Sequence, residues 1–240
     1  RTAKYLRSNI IDGCYSIHED TLSGNSKYET FNNLDEIPSP FLMGLMDQFI
    51  DKGFLPIIET NRGCPFSCTF CVWGISALTK VRKFSMERVK SELDYLAGRK
   101  TRSSVISLGD ANFGLLQRDV EIAQHIRDLY ENKKAFNRVQ LYWAKISKPH
   151  MIDIGRILGK LTQTYIAFQS LDPEVLKNIK RKNINTNSLL EIINKTKEFT
   201  SRTQTDILIG LPGETYQSHL NSLDKALSYG INSIFGGEIR

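Results

Sequence analysis

Cys64, Cys68 and Cys71 stand four and three residues apart in Glu59-Thr-Asn-Arg-Gly-Cys-Pro-Phe-Ser-Cys-Thr-Phe-Cys-Val-Trp-Gly74, with an aromatic residue, Phe70, directly before the third. Three thiolates from one short loop can hold three irons of a [4Fe–4S] cube and leave the fourth iron without a protein ligand. A metal site with an open position suits catalysis, because a substrate or cofactor can bind there. Two plainer uses compete: a structural zinc knot, and a cluster that only carries electrons. Zinc asks for a fourth ligand nearby, and no His or Cys occurs between Cys71 and His125. A cube used only for electron transfer normally takes a fourth Cys. The open iron is the reading that the spacing favours.

The rest of the chain must hold that loop. Its 240 residues are enough for one sizeable core with an appendage. With 40% apolar and 24% charged residues, the composition is that of a soluble globular protein. No apolar run has the length of a membrane span, and the start shows no signal-peptide pattern. The first residue is Arg1, so the sequence reads as a piece of a longer protein. A net charge of +6 is mild, and the Lys177–Lys182 group reads as a solvated helix end, which weighs against nucleic acid as a partner. Four cysteines with three in one loop are not a disulfide framework, and an open cluster suits reducing cytosol; Cys14 is expected to be small and buried.

Residues 1–53 read as a connector following a missing N-terminal domain. Ser23-Gly24-Asn25-Ser26 supplies turn formers, and Pro38 and Pro40 forbid a helix before them. An apolar helix is expected from Leu42 to Ile50, with Phe41, Leu42, Leu45, Met46 and Phe49 as its docking stripe. His18 lacks the neighbours of a cobalamin-ligating histidine and reads as a surface or turn residue.

From residue 54 strands and helices alternate. Strands are expected at 54–60, 105–108, 139–143, 165–168, 206–209 and 231–235. Helices are expected after the Ser85 cap, at 120–130, at 151–161, after Asp172-Pro173, at 188–199 and at 214–227, the last with Glu214 in its first turn. Such alternation implies an α/β fold of right-handed βαβ units with a parallel sheet.

The cysteine pattern, with its aromatic residue, resembles the signature of the radical S-adenosylmethionine (SAM) enzymes. The resemblance spans about residues 34–240. It implies a partial (β/α)6 TIM-like barrel over 54–240, cut at its C-terminal side, with cysteines 64, 68 and 71 on the cluster. In that family the free iron binds SAM, and one electron cleaves it to a 5′-deoxyadenosyl radical. Loops after the strands of a parallel barrel share one face. That face would gather the cysteine loop, Gly109-Asp110, Gln169-Ser170 and Gly210-Leu211-Pro212.

SAM needs partners for each of its ends. Asp110 can accept from the ammonium, beside Gly109, where the backbone comes close; Arg181 can fork onto the carboxylate; Gln169 and Asp206 can bond the ribose; Phe70 can stack on adenine. Oxygen-independent coproporphyrinogen oxidases carry a Gln, an Arg twelve residues later and an Asp at strand five, and Gln169, Arg181 and Asp206 look like the same arrangement. The family's Gly-Gly-Glu after strand two is here Gly109-Asp110-Ala111. A literal Gly236-Gly237-Glu238 follows strand six, where Glu238 could face substrate, as could Tyr142, Trp143 and Lys145 at the strand-three exit.

Leu34-Asp-Glu-Ile-Pro-Ser-Pro-Phe41, Asp110-Ala-Asn-Phe-Gly114 with Arg118-Asp119 behind it, and Gln169-Ser-Leu-Asp-Pro-Glu-Val-Leu look like the subgroup whose barrel follows a cobalamin-binding domain. That subgroup implies a methyltransferase acting on carbon or phosphorus of a small-molecule or natural-product-like substrate. A flavodoxin or ferredoxin would be the reductant. The alternatives are a cobalamin-free radical oxidoreductase or methylthiotransferase, and a non-catalytic iron–sulfur electron-transfer module.

Overall fold

The structure is a computed structural model and describes residues 12–26, 31–74, 79–99, 104–145, 148–196 and 202–239. Two parallel three-stranded sheets form its frame. In the first, β3 (Ile57–Ile58), β6 (Val105–Leu108) and β7 (Arg138–Gln140) lie in that order; in the second, β8 (Thr164–Tyr165), β9 (Thr203–Ile209) and β10 (Ser233–Glu238) do the same. Isolated bridges at Phe113–Trp143 and Gln169–Ile207 carry the pairing toward the strand exits. The six expected strands are therefore present, in two sheets of three. Between them Trp143 donates its indole N–H to Gln163 O at 3.0 Å, and Tyr142 meets Tyr165 edge to face.

The helices fall where hydrophobic periodicity and caps place them. Ser85 accepts the N–H of Arg88 and starts α2 (Met86–Gly98), whose Val89, Leu93 and Leu96 are all buried. Asp172 accepts from Glu174 and Val175 at the start of α5 (Pro173–Asn178), with Pro173 in the first turn. Helices α2, α3 (Asp119–Lys133) and α4 (Pro149–Leu158) cover the first sheet around a core that includes Ile106, Leu108, Phe113, Ile122 and Ile154. A smaller core of Phe168, Leu189, Ile193, Ile207 and Ile231 lies between the second sheet and α6 (Thr186–Thr196). Burying each of these side chains stabilises the fold by roughly 1.5–3 kcal/mol.

Several expectations are corrected. The stretch 42–50 is mostly turns, with helix only over α1 (Asp47–Ile50), because Gly44 sits at φ 71°, outside the helical region. Its stripe is correspondingly broken: Phe41 and Ile50 are buried, whereas Leu42, Leu45 and Phe49 are exposed. Ser23 and Gly24 belong to β2 (Thr21–Gly24), paired with β1 (Tyr15–His18). The turn between them is made by Glu19 and Asp20, both at positive φ as a tight hairpin requires. Cys14 is exposed. Glu214 precedes α7 (Tyr216–Ser228), which Thr215 and Ser218 cap reciprocally. Expected residues 197–199 lie outside the described residues. Among those described, no helix is long and apolar enough to cross a membrane.

Candidate active site

The cysteine loop leaves the first sheet at β4 (Asn61–Arg62) and returns at β5 (Arg82–Lys83), the two strands pairing antiparallel. Asp110, at the exit of β6, holds the stem of this loop. Its carboxylate accepts the N–H of Thr60 at 2.6 Å, the Thr60 hydroxyl, the N–H of Asn61 at 3.2 Å and the Asn61 side-chain amide at 2.8 Å. Burial raises its pKa to about 6 against the opposing effect of these bonds. Arg118 closes the stem from the other side, donating to Thr60 O at 2.9 Å and Phe84 O at 2.6 Å.

Cys64 and Cys68 are buried and Cys71 is half-buried. Asn112 Nδ2 lies 3.1 Å from Cys64 Sγ, and Arg181 Nη1 lies 3.9 Å from Cys68 Sγ. Among the described residues, no three His, Cys, Asp or Glu side chains stand close enough to share one metal ion. That is compatible with a cube, whose thiolates each bind a different iron and so stand wider apart. A loop with two sulfurs already beside N–H donors fits such a group.

A cavity of about 310 Å³ opens beside the loop. It is lined by Cys64, Cys71 and Phe70 from the loop, Gly109 and Asp110 from β6, Tyr142, Trp143 and Lys145 after β7, and Tyr165, Gln169, Arg181 and Asp206 from the second half. Its volume lies in the range of small-ligand sites. A Cβ at Gly109 would stand 3.2 Å from Ile57 Cγ2, so the close approach expected there is real. Gln169 has φ 68°, a left-handed conformation rare for a residue with a side chain, and its backbone is held by Asp206 O and Leu208 N. The Gln169 side-chain amide makes no hydrogen bond to the described protein, although the residue is buried. Asp206 accepts a hydrogen bond from the Tyr165 hydroxyl, and burial raises the pKa of both. Arg181 is anchored by Ala167 O, Phe168 O and Asn183 Oδ1, with burial lowering its pKa and the Cys68 sulfur opposing that shift.

Four expected contacts change. Asp110 reaches the cavity wall, but four donors already occupy its carboxylate, so it braces the loop and is not free for an ammonium. Ser170 is fully buried, and its hydroxyl accepts the N–H of Asp172. Gly210 bonds Glu214 through its N–H and does not line the cavity. Glu238 is exposed at the end of β10, opposite Ile209, away from this cavity. Thr60, Asn61, Trp73 and Tyr165 were not singled out by sequence, because their roles depend on partners 41 to 50 residues away or on loop shape.

A parallel α/β fold with a three-thiolate loop at the mouth of its strands suits an iron–sulfur cluster with one iron left open. The chain matches the Radical SAM superfamily over residues 58–226 and belongs to it. A [4Fe–4S] cluster and SAM are the cofactors of that superfamily. The chain is 33% identical over 213 residues to "Cobalamin-dependent radical SAM methyltransferase TokK" of Streptomyces tokunonensis, covering 85% of this chain and 31% of that protein. It is 33% identical over 204 residues to "2-(S-pantetheinyl)-carbapenam-3-carboxylate methyltransferase" of Streptantibioticus cattleyicolor, covering 81% and 30%. The chain thus spans about a third of the length of these relatives. Its fold resembles the radical SAM methyltransferase TsrM from Kitasatospora setae with cobalamin and a [4Fe–4S] cluster bound, at a TM-score of 0.63 and 18% identity over 80% of this chain and 35% of that one.

Proposed function

We propose that this chain is the catalytic core of a cobalamin-dependent radical SAM methyltransferase. One observation carries the reading: Cys64, Cys71, Phe70, Gln169, Arg181 and Asp206, drawn from both sheets, line a single cavity. In this reading the two sheets are the halves of one partial (β/α)6 barrel over 54–240, and 1–53 is its connector. Cys64, Cys68 and Cys71 hold three irons. A [4Fe–4S] cluster held by these three cysteines would supply the electron for reductive cleavage of SAM. Arg181 orients the SAM carboxylate, the unpaired Gln169 amide and Asp206 hold the ribose, and Phe70 packs against adenine. Tyr142 and Lys145 face the substrate.

Methyl transfer rests on the two relatives that are 33% identical, one of which is named as cobalamin-dependent. A cobalamin site would lie in a segment beyond this chain. An adjoining cavity of about 620 Å³, lined by Phe66, Cys68, Lys145, Lys180, Arg181 and Lys182, suits a small substrate with an anionic group. The reductant would be a flavodoxin or ferredoxin of the cytoplasm, where thiolates stay reduced. The test is anaerobic reconstitution with iron and sulfide, then incubation with dithionite and SAM. Formation of 5′-deoxyadenosine is expected; a cluster whose spectrum ignores SAM, with no cleavage product, would overturn the reading.

A further inference from the structure

The Asn112 side chain is buried between the sheet and the cysteine loop, 2% exposed. Its Nδ2 lies 3.1 Å from Cys64 Sγ, while its Oδ1 is buried with no hydrogen-bond partner among the described residues. An amide kept for stability has both ends paired, because an unpaired buried carbonyl carries a desolvation penalty. Leucine, of nearly the same shape, would fill the space without that penalty. The half of Asn112 that has a partner is the half that touches sulfur.

The chemistry of the sulfur fixes the direction of the contact. A thiolate bound to iron accepts hydrogen bonds and cannot donate, so the amide must present its N–H. Cys64 is itself buried, leaving little room for water to solvate that sulfur. The backbone around Asn112 is also fixed. Phe113 donates to Tyr142 O at 2.7 Å and accepts from Ala144 at 2.8 Å, and Leu115 donates to Asn112 O at 3.2 Å. The amide is therefore held in place from both sides.

We propose that Asn112 is a positioning residue that donates its side-chain N–H to the Cys64 thiolate and so tunes the reduction potential of the cluster. Adding an electron increases the negative charge on the cluster sulfurs, and a fixed N–H stabilises that state more than the oxidised one. Removing the donor makes reduction harder. The proposal rests on Cys64 being a cluster ligand, and the two can fail separately: full iron content in Cys64→Ala would remove the ligand, whereas an unmoved potential in Asn112 variants would remove only the tuning.

The test is an EPR-monitored redox titration of the reconstituted protein, its Asn112→Leu variant and its Asn112→Ala variant, each with iron and sulfide counted. The ratio of reduced to oxidised cluster at fixed potential should fall roughly threefold to tenfold, a shift of about 30–59 mV for a one-electron couple, in variants that hold a full cluster. A purely structural Asn112 would lower iron content and leave the potential of intact clusters unmoved; that result overturns the proposal. Should neither variant hold a full cluster, pulsed EPR of the reduced native protein with ¹⁵N-labelled asparagine decides. A ¹⁵N coupling to the cluster supports the hydrogen bond, and no coupling overturns it.

Discussion

Asp110 makes the stability of the cluster-free protein depend on pH in a direction unusual for a carboxylate. Burial raises its folded pKa to about 6, above the ordinary carboxylate value of 3.8. Between those values the folded state binds the proton that the unfolded state has lost, so this group adds stability as pH falls through about 6 and withdraws it as pH rises. A rise of that size corresponds to about 3 kcal/mol. Between pH 7 and pH 5, that titration gives a gain on the order of 1 kcal/mol from Asp110 alone. The perturbation is Asp110→Asn, which keeps the shape and removes the titration. Urea unfolding of the reduced, cluster-free protein and its variant at both pH values is the assay, with all other titrating groups common to the pair. The native protein should gain on the order of 1 kcal/mol more than the variant on acidification. Equal gains, or a larger gain in the variant, would refute the assignment of a buried, high-pKa carboxylate at the loop stem.

Arg181→Met should weaken SAM binding by roughly 10- to 100-fold, the loss of a charge-assisted pair worth about 1.5–3 kcal/mol, as read by equilibrium dialysis on the reconstituted protein; unchanged affinity would remove Arg181 from the site. Cys68→Ala should fail to assemble a full cube, shown by iron content and visible absorbance, and a variant with four irons would contradict the ligand set. Phe113→Ala opens a cavity at a fully buried position and should cost about 3–5 kcal/mol in urea unfolding. A smaller loss would mean that the β6–β7 exits repack around it.

The elements with strong local signals were legible in the sequence. Val105–Leu108 and the helix capped by Ser85 lie where their patterns place them, because an apolar run or a capped amphipathic stretch is decided by near neighbours. Phe54–Thr60 was less legible. Phe54 and Ile57 are exposed, and the strand is only Ile57–Ile58, because pairing with β6 decides its length. In the site, Cys64 was identified from type and spacing, and Phe70, Gln169, Arg181 and Asp206 from what the family resemblance implies; they share one cavity. Asp110 was identified as a polar group at a strand exit, but its partners were not. Four donors from Thr60 and Asn61 converge on it across about 50 residues of chain, and no local pattern encodes that.

The Arg118 guanidinium joins Thr60 O and Phe84 O, the points where the chain leaves the sheet for the cysteines and comes back. One side chain thus ties both ends of a long excursion, like a clasp on a handle. The neck is closed by contacts to α3 and to the sheet that involve none of the sulfurs. Folding of the scaffold is in that respect separable from the arrival of iron. The excursion beyond the clasp can admit a preformed cube without the sheet having to come apart, since the entropy of closing the loop has already been spent at its neck.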